Sequence, residues 1–238
     1  MIRFFLLNTF IGAWTVVCCL WGFVLSLFDG EGARMHALAA VPWARMILWV
    51  SSVKVEAFGT ENADPNVPRI YMSNHQSAFD IFALLDKLRV NFKFILKQEL
   101  MGIPLLGFAM NRAGYIAIDR RDPRRAVAGV NEAARKIKGG ASVLVFPEGT
   151  RSPDGQMRPF KRGGFHLALK SGCDIVPVTI VDSYQIMAKG SLRIHRGKIV
   201  MVIGKPISME GRRKLDMEAL MREVGEAMNR AIEKYRPS

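Results

Sequence analysis

The chain contains little cysteine, with three residues of this type among 238. Cys18 and Cys19 are adjacent and Cys173 lies far from both, a pattern that excludes the disulfide framework of small secreted domains and favours a reducing compartment. The sequence also lacks the H-x-x-x-H and C-x-x-C spacings of metal sites. Its four histidines are His36, His75, His166 and His195. We therefore expect no metal ion and no other resident cofactor.

Acidic residues are scarce as well, since 21 Asp and Glu stand against 34 Lys and Arg, a formal net charge of +13. The excess lies after residue 60, because residues 1–60 hold four basic and three acidic side chains. Half of the residues are hydrophobic, which excludes a disordered or collagen-like chain. A basic globule fits an anionic membrane, a phosphorylated substrate or nucleic acid. Nucleic acid is the weakest of these, because recognised nucleic-acid motifs are missing and aromatic residues are not interleaved with the basic clusters.

Charge is absent altogether from residues 4–28. A helix of that length reaches about 37 Å, more than the roughly 30 Å hydrocarbon core of a bilayer. The alternatives are a signal peptide, whose apolar region is usually about 7–15 residues long, and a buried core helix, which would contain more polar residues. The length of the run favours membrane association.

A second apolar stretch covers residues 35–53 and is interrupted by Pro42 and Arg45. Proline fits the first turn of a helix, so a second helix is predicted to begin near Pro42. Trp43 and Trp49 fit the membrane–water interface. The two helices either cross the membrane twice or form a hairpin in one leaflet, and Arg45 favours the hairpin. We predict an N-terminal membrane-anchoring segment at residues 1–52 and a second domain at residues 53–238.

After residue 52, short apolar runs alternate with helical periods. The predicted strands are residues 53–58, 69–72, 92–96, 115–118, 142–146, 175–181, 192–195 and 199–203. The predicted helices are residues 78–88, 123–138 and 215–235. This alternation predicts an α/β fold with a largely parallel sheet and flanking helices, preceded by the N-terminal apolar helical hairpin. Ligands of such sheets bind at the carboxyl ends of the strands, so the turns that follow the strands are the places to search.

The first such turn carries His75, and Asp80 lies in the first turns of the following helix. Helical side chains lean toward the N-terminus of their helix, so Asp80 can reach back to His75. A carboxylate on one imidazole nitrogen fixes the tautomer and raises the basicity of the other nitrogen, which makes a general base. The alternative is an ordinary helix start with Ser73 or Asn74 as the cap and His75 incidental.

Two further turns and one strand end carry charge. Glu148, Gly149 and Arg151 follow the strand at 142–146, where glycine permits close approach of a ligand and arginine grips phosphate oxygens. Arg120 follows the strand at 115–118 and would form a phosphate clamp with Arg151. Lys97 ends the strand at 92–96. The alternatives are a solvated loop with a Glu148–Arg151 ion pair and a surface lysine at position 97.

Together and in this order, these segments resemble the glycerolipid acyltransferases. Residues 74–80 match the N-H-x-x-x-x-D motif of that family, residues 146–152 its F-P-E-G-T-R-S motif, and residues 114–120 and 175–178 its second and fourth motifs. The resemblance covers about residues 50–210. The sequence is most similar to the bacterial branch of that family, the 1-acylglycerol-3-phosphate (lysophosphatidate) acyltransferases.

This resemblance implies acyl transfer from acyl-CoA or acyl carrier protein to the sn-2 hydroxyl of lysophosphatidate, which gives phosphatidic acid. It implies His75 as the general base and Asp80 as its partner. No G-x-S-x-G elbow is present and Cys173 lies outside the three turns, so a covalent acyl-enzyme is not expected. The candidate substrate-binding residues are Lys97, Arg120, Glu148, Gly149, Thr150 and Arg151.

The resemblance also implies membrane lipid as a partner and a place on the inner (cytoplasmic) membrane, with the catalytic domain on the cytoplasmic side. Other acceptors remain open, because the same pair of residues would serve glycerol 3-phosphate, another lysophospholipid or a lyso-aminolipid. Backbone N–H groups at the His75 turn are the first candidates for stabilising the oxyanion of the reaction. A non-enzymatic basic protein that binds nucleic acid or membrane through its charge is the remaining alternative.

Overall fold

The apolar runs after residue 52 pair into one sheet. In the computed structural model, which describes residues 1–119 and 121–236, the strands are β1 Val53–Phe58, β2 Ile70–Ser73, β3 Phe92–Lys97, β4 Ile116–Ile118, β5 Ser142–Val145, β6 Ile175–Val181 and β7 Gly197–Ile203. Within those described residues the sheet has seven strands in the order β1-β7-β6-β2-β5-β3-β4. Neighbouring strands are parallel except β6 and β7, which are antiparallel. The α/β class with a largely parallel sheet is confirmed.

Helices precede the sheet and flank it. They are α1 Ile2–Ser26, α2 Ala33–Met35, α3 Val41–Ser51, α4 Phe79–Lys87, α5 Leu106–Arg112, α6 Pro123–Lys138, α7 Arg162–Ser171, α8 Ser183–Ile186 and α9 Met217–Tyr235. A π-helical turn, His36–Ala40, joins α2 to α3 without a break. Local chemistry sets the ends of α6: the Asp122 side chain accepts the amides of Arg124 and Arg125 at its start, and Gly139 follows its last residue.

The core has two layers because the strands bury both faces. β2, β5 and β6 are buried at every position, as their nearly continuous apolar sequence requires of central parallel strands. On one face Tyr71 packs with residues of α3 and α4. On the other face Ile70 and Met72 pack with residues of α6, α7 and α9. Residues that alternate along one strand thus serve opposite layers.

The two N-terminal helices differ in their surroundings. α1 is the one helix, among the residues described, that is long and apolar enough to cross a membrane. Its buried residues are Leu7, Cys19, Gly22 and Ser26, and most of its other side chains are exposed. α3, in contrast, packs on α4, where Trp43 contacts Phe82 edge to face at 5.0 Å and Arg45 pairs with Asp86 at 2.7 Å. Trp49 is 76% exposed and Trp43 is half-buried against α4, and the interfacial position of both stays a prediction.

Most predicted elements are confirmed, and the strands at 53–58 and 175–181 and the helix at 123–138 have the predicted bounds. The strand predicted at 192–195 is wrong. Its polar backbone atoms bond elsewhere: the carbonyls of Leu192 and Ile194 accept the side chains of Asn8 and Arg3 from α1, and the His195 amide donates to Ile186. The predicted boundary between residues 52 and 53 coincides with the end of α3. Ser52, which has a φ of 57°, is the one residue between α3 and β1. A division into two domains stays a prediction.

Candidate active site

The turn after β2 begins with Asn74, whose side chain forms the hydrogen bonds that a further strand residue would form through its backbone. The Asn74 amide group donates to the Ile180 carbonyl at 2.8 Å and accepts the Ile180 amide at 2.7 Å, so it extends the pairing of β2 with β6. The Ser73 hydroxyl donates to the Asn74 carbonyl. Neither residue caps α4. The predicted cap by Ser73 or Asn74 is therefore wrong.

Asp80 organises the turn instead. One carboxylate oxygen, Oδ2, accepts His75 Nδ1 at 2.8 Å and the amides of Gln76 and Ser77 at 2.7 and 2.9 Å. The Asp80 side chain is fully buried. A buried carboxylate on Nδ1 requires the proton there, which leaves Nε2 as the free acceptor of the ring. The sequence correctly predicted that Asp80 reaches back to His75, and the catalytic role of the pair stays a prediction.

The oxyanion donors predicted at this turn are wrong. The amides of Gln76 and Ser77 are bound to Asp80, and the His75 amide donates to Glu148 Oε1 at 2.8 Å. Each of these N–H groups already has a carboxyl oxygen as its acceptor, so none is available for a developing oxyanion.

The loop after β5 holds the imidazole in place. The ring of Phe146 stacks on that of His75 with centroids 3.9 Å apart and planes at 14°. The Ser152 amide donates to the His75 carbonyl at 2.7 Å. Gly149 lies between these two contacts with a φ of +76°, in the left-handed region that favours glycine, and its amide donates to the Phe146 carbonyl at 3.0 Å. The ring of His75 is therefore fixed by β2, α4 and this loop together.

Glu148 connects the His75 turn to the loop after β5. It is buried, and its two carboxylate oxygens accept the amides of His75 and Arg158 at 2.8 and 2.9 Å. Burial raises the pKa of Glu148 to about 7, although these two amides act in the opposite direction. Among the described residues it forms no ion pair with Arg151 and does not line the cavity described next. Its predicted place against the glycerol of a substrate stays a prediction.

A cavity of about 550 Å³ opens beside His75. That volume falls within the range of small-molecule sites, about 300–1,000 Å³. Where the strand-end turns form its wall, the lining is polar and cationic: His75, Lys97, Gly149, Thr150, Arg151 and Lys189. Where the helices form its wall, the lining is apolar. Those residues include Cys18, Cys19 and Gly22 of α1, and Leu106, Ala109 and Met110. They also include Met35, Ala39 and Trp43 of the continuous helix that runs from α2 to α3, here called the second helix.

Parallel strands bring the polar residues to this one place. β2 lies beside β5, with Met72 opposite Val145, and β5 lies beside β3. The carboxyl ends of the three strands therefore meet at one edge, as expected for open α/β sheets. Lys97, Arg151 and Lys189 line the cavity and form no ion pair within residues 1–119 and 121–236. Arg120, the other predicted phosphate ligand, lies outside the described residues.

Lys189 is a site residue that the sequence prediction missed. It lies in a turn after β6, and the Ser77 hydroxyl donates to the carbonyl of the nearby Met187 at 2.7 Å, which attaches this turn to the His75 turn. The rule that pointed to the other turns applies here too, because the segment follows the carboxyl end of a central strand. The sequence after Val181 shows no regular helical or strand pattern, so the turn that contains Lys189 was not predicted.

Comparison with known proteins places this site in a family. The family sequence model described as Acyltransferase matches residues 54–181, which is more than half of the chain. The chain belongs to the acyltransferase family. The matched region contains β1 to β6 and all the predicted site residues, so the family assignment and the site concern the same part of the molecule.

Named relatives of this acyltransferase are 1-acyl-sn-glycerol-3-phosphate acyltransferases. The chloroplastic enzyme BAT2 of Brassica napus is 38% identical over 209 residues, which are 87% of this chain and 60% of that protein. The chloroplastic enzyme LPAT1 of Arabidopsis thaliana is 41% identical over 187 residues, 78% of this chain and 52% of the relative. The chain thus spans between one half and two thirds of the length of these two plant relatives.

A solved structure of similar size matches the whole acyltransferase chain. The crystal structure of the 1-acyl-sn-glycerophosphate (LPA) acyltransferase PlsC from Thermotoga maritima aligns with a TM-score of 0.83 and 26% identity. The alignment covers 100% of this chain and 99% of that chain, so the N-terminal helices are included in the likeness.

Proposed function

We propose that this acyltransferase moves an acyl group from a thioester, acyl-CoA or acyl carrier protein, to the sn-2 hydroxyl of 1-acylglycerol 3-phosphate, which yields phosphatidic acid. The observation that carries the proposal is the contact of His75 Nδ1 with buried Asp80 at 2.8 Å, at the cationic end of an otherwise apolar cavity. The names of the relatives support the acceptor.

His75 acts as the general base in this reaction. Its Nε2 takes the proton of the sn-2 hydroxyl as that oxygen bonds to the thioester carbonyl carbon, a form of help that supplies about 10²–10⁴-fold in rate. Asp80 stabilises the imidazolium that results. Collapse of the tetrahedral intermediate breaks the carbon–sulfur bond, and His75 returns the proton to the departing thiolate. Thioester and alcohol become ester and thiol, so atoms and charge balance.

The developing oxyanion needs hydrogen-bond donors other than those of the His75 turn. We assign the backbone amides of Thr150 and Arg151 to it. Both residues line the cavity with His75, and their amides bond to no residue in the described part of the chain. The alcohol is the nucleophile and the thioester is already activated, so no covalent acyl-enzyme and no cofactor enter the reaction.

A thiol nucleophile is not required, and Cys173 is badly positioned for that role. It precedes β6 at the opposite edge of the sheet, its Sγ contacts the Pro68 carbonyl at 3.1 Å, and burial raises its pKa to about 11. The thiolate form is therefore disfavoured.

The cavity lining divides between the two ends of a lipid. Lys97 and Arg151 bind the phosphate of lysophosphatidate as charge-assisted donors, with Arg120 as a predicted third cation. The apolar walls from α1, the second helix and α5 receive acyl chain. We place α1 in the inner membrane with the α/β domain on its cytoplasmic side, because a lipid acceptor lies in the bilayer and the thioester donors are soluble.

The product identifies the reaction. Membranes containing the full chain are incubated with lysophosphatidate and a mixture of acyl-CoA and acyl carrier protein thioesters, and the lipids are identified by mass. Parallel arms contain glycerol 3-phosphate, another lysophospholipid or a lyso-aminolipid as the acceptor. We expect phosphatidic acid from the lysophosphatidate arm alone. Preferential acylation of another acceptor, or no ester product in any arm, contradicts the proposal.

A further inference from the structure

A second uncharged segment lies on the surface of the α/β domain. Residues 100–111 contain no charged side chain, and Glu99 and Arg112 flank them. The segment comprises the end of a 3₁₀ turn, Gln98–Gly102, a short loop and α5. Four of its large apolar side chains are exposed to 40–47%: Leu100, Ile103, Leu105 and Phe108. A contiguous apolar surface of this kind indicates an interaction site.

This surface continues the exposed apolar face of α1. The ring of Phe108 lies 5.6 Å from that of Phe23 in α1, which is itself 45% exposed. Arg112 joins the same two elements, because its Nε donates to Ser26 Oγ at 3.3 Å and its guanidinium lies 5.8 Å from the centre of the Phe108 ring. The two exposed faces therefore form one surface, with a cation at its edge.

Leu105 is exposed by a strained backbone conformation. Its φ of 61° and ψ of −53° form a tight turn in which the Leu106 amide donates to the Pro104 carbonyl at 2.7 Å, a conformation that strains every residue with a Cβ. The fold around it is also tight, since a Cβ on Gly107 would lie 2.1 Å from the Met101 carbonyl oxygen. The strain is the same in water and in hydrocarbon, but the exposed leucine side chain is unfavourable only in water.

The same elements also form the wall of the cavity. Leu106, Ala109 and Met110 line the cavity from α5, and Cys18 and Gly22 line it from α1. The cavity thus lies behind a wall whose outer surface is the joined apolar face.

We propose that residues 100–108 insert into the lipid leaflet beside α1, as a second membrane contact that holds the cavity at the bilayer surface. The proposal rests on the membrane attachment of α1 given under the proposed function. Continuity with α1 and the absence of charge identify lipid as the occupant. Arg112, which follows the segment, suits the phosphates of the headgroup layer.

Photo-crosslinking tests this contact without reference to activity. A benzophenone amino acid replaces Leu105 in the full chain, and the matched control carries it at Val127 of α6, which is 59% exposed on the opposite face of the sheet. Both proteins are irradiated in vesicles of phosphatidylcholine and phosphatidylglycerol. We expect lipid adducts at position 105 and none at 127. Adducts with a second copy of the chain, no adduct at 105, or equal lipid adducts at both positions overturn the proposal.

Kinetics provide the second arm. The double variant Ile103→Asp/Leu105→Asp is compared with Val127→Asp, and neither variant alters a residue that lines the cavity. We expect kcat/KM for lysophosphatidate embedded in vesicles to fall about tenfold or more, because two apolar side chains lose their burial. For detergent-dispersed lysophosphatidate kcat/KM stays as in the wild type. Equal losses in both forms of substrate, or no loss in vesicles, contradict the proposal. A wild type without transferase activity refutes the proposed function and leaves the crosslinking result to decide the membrane contact.

Discussion

His75 is held by contacts from two separate parts of the chain, α4 and the loop after β5. Asp80 binds Nδ1 from the next helix, Phe146 stacks on the ring, and Glu148 and Ser152 hold the backbone on either side of it. A base fixed in this way loses little entropy when the reaction begins, and a buried carboxylate stabilises the imidazolium in a low-dielectric setting. The arrangement suits transfer of one proton from a hydroxyl group that the cavity delivers.

Arg151 tests the phosphate end of the cavity. Arg151→Ala should raise the KM for lysophosphatidate by about 10–100-fold and change kcat little, since a charge-assisted hydrogen bond is worth about 1.5–3 kcal/mol. The control is Lys54→Ala, which removes an exposed cation on β1. Initial rates at varied lysophosphatidate measure both constants, and an unchanged KM removes Arg151 from phosphate binding.

Glu148 predicts a pH dependence of stability. Burial raises its pKa to about 7 from an ordinary 4.5, so the folded protein binds this proton more tightly than the unfolded chain does. The resulting stabilisation is full below about pH 4.5 and is lost as the pH rises through about 7, up to about 3 kcal/mol. Free energies of unfolding of the wild type and Glu148→Gln, measured from pH 4 to 8, should show this decline only in the wild type. Parallel curves would contradict it.

For single residues, the sequence predicted the contact of His75 with Asp80 in the same turn. It did not predict the contacts of His75 with residues of other turns. Asp80 lies five positions after His75, and the lean of helical side chains alone brings them together. Glu148 lies 73 positions from His75, and only the pairing of β2 with β5 makes them neighbours. No local pattern shows that its oxygens accept two amides instead of facing a ligand.

The helices at the N-terminus form part of the cavity wall. α1 supplies Cys18 and Gly22 to the cavity, and the continuous helix from α2 to α3 supplies Met35, Ala39 and Trp43. Trp43 also donates its indole N–H to Thr15 of α1 at 2.9 Å, which joins the two helices beside the cavity. The apolar part of the site therefore depends on a segment that composition alone marks only as membrane-associated.

Ala39 tests whether this apolar part holds acyl chain. The Ala39→Phe variant places a ring where α1 and the second helix meet, beside Gly22. We expect kcat/KM for long-chain thioesters to fall at least about tenfold while short-chain thioesters are used nearly as before, because a lost methylene costs about 0.8 kcal/mol. Competition between thioesters of different length measures the preference. An equal loss for every length would indicate a damaged fold instead.

Helices and strands were predicted correctly where the apolar residues followed a single helical or strand pattern over a long enough segment. The seven apolar residues of β6 and the capped, amphipathic α6 are of this kind. α5 and α7 were missed because their sequences contain glycine, at 107 in the first and at 163 and 164 in the second, which weakens helical propensity. The wrong strand at 192–195 has an apolar pattern but receives its backbone hydrogen bonds from α1, a contact that lies about 190 positions away.

The whole molecule combines an apolar helix with a basic domain. Under the proposed function, the net charge of +13 draws the domain to anionic lipid, at about 1 kcal/mol per basic residue near the surface, and α1 holds it there. Lys97, Arg151 and Lys189 form no ion pair among the described residues and line the cavity, so part of that charge lies where the proposed function puts a phosphate. Anchor, charge and cavity are thus consistent with one substrate, an anionic lipid with a single free hydroxyl.

The most direct measurement is the turnover of His75→Ala in vesicles with lysophosphatidate and an acyl thioester, beside His166→Ala, which removes an exposed histidine of α7. Circular dichroism and vesicle binding show whether each variant keeps its fold and its attachment. We predict that kcat of His75→Ala falls by at least about 10²–10⁴-fold while fold and attachment persist, and that His166→Ala turns over like the wild type. A folded, membrane-bound His75→Ala protein with wild-type turnover would contradict the assignment of His75 as the base.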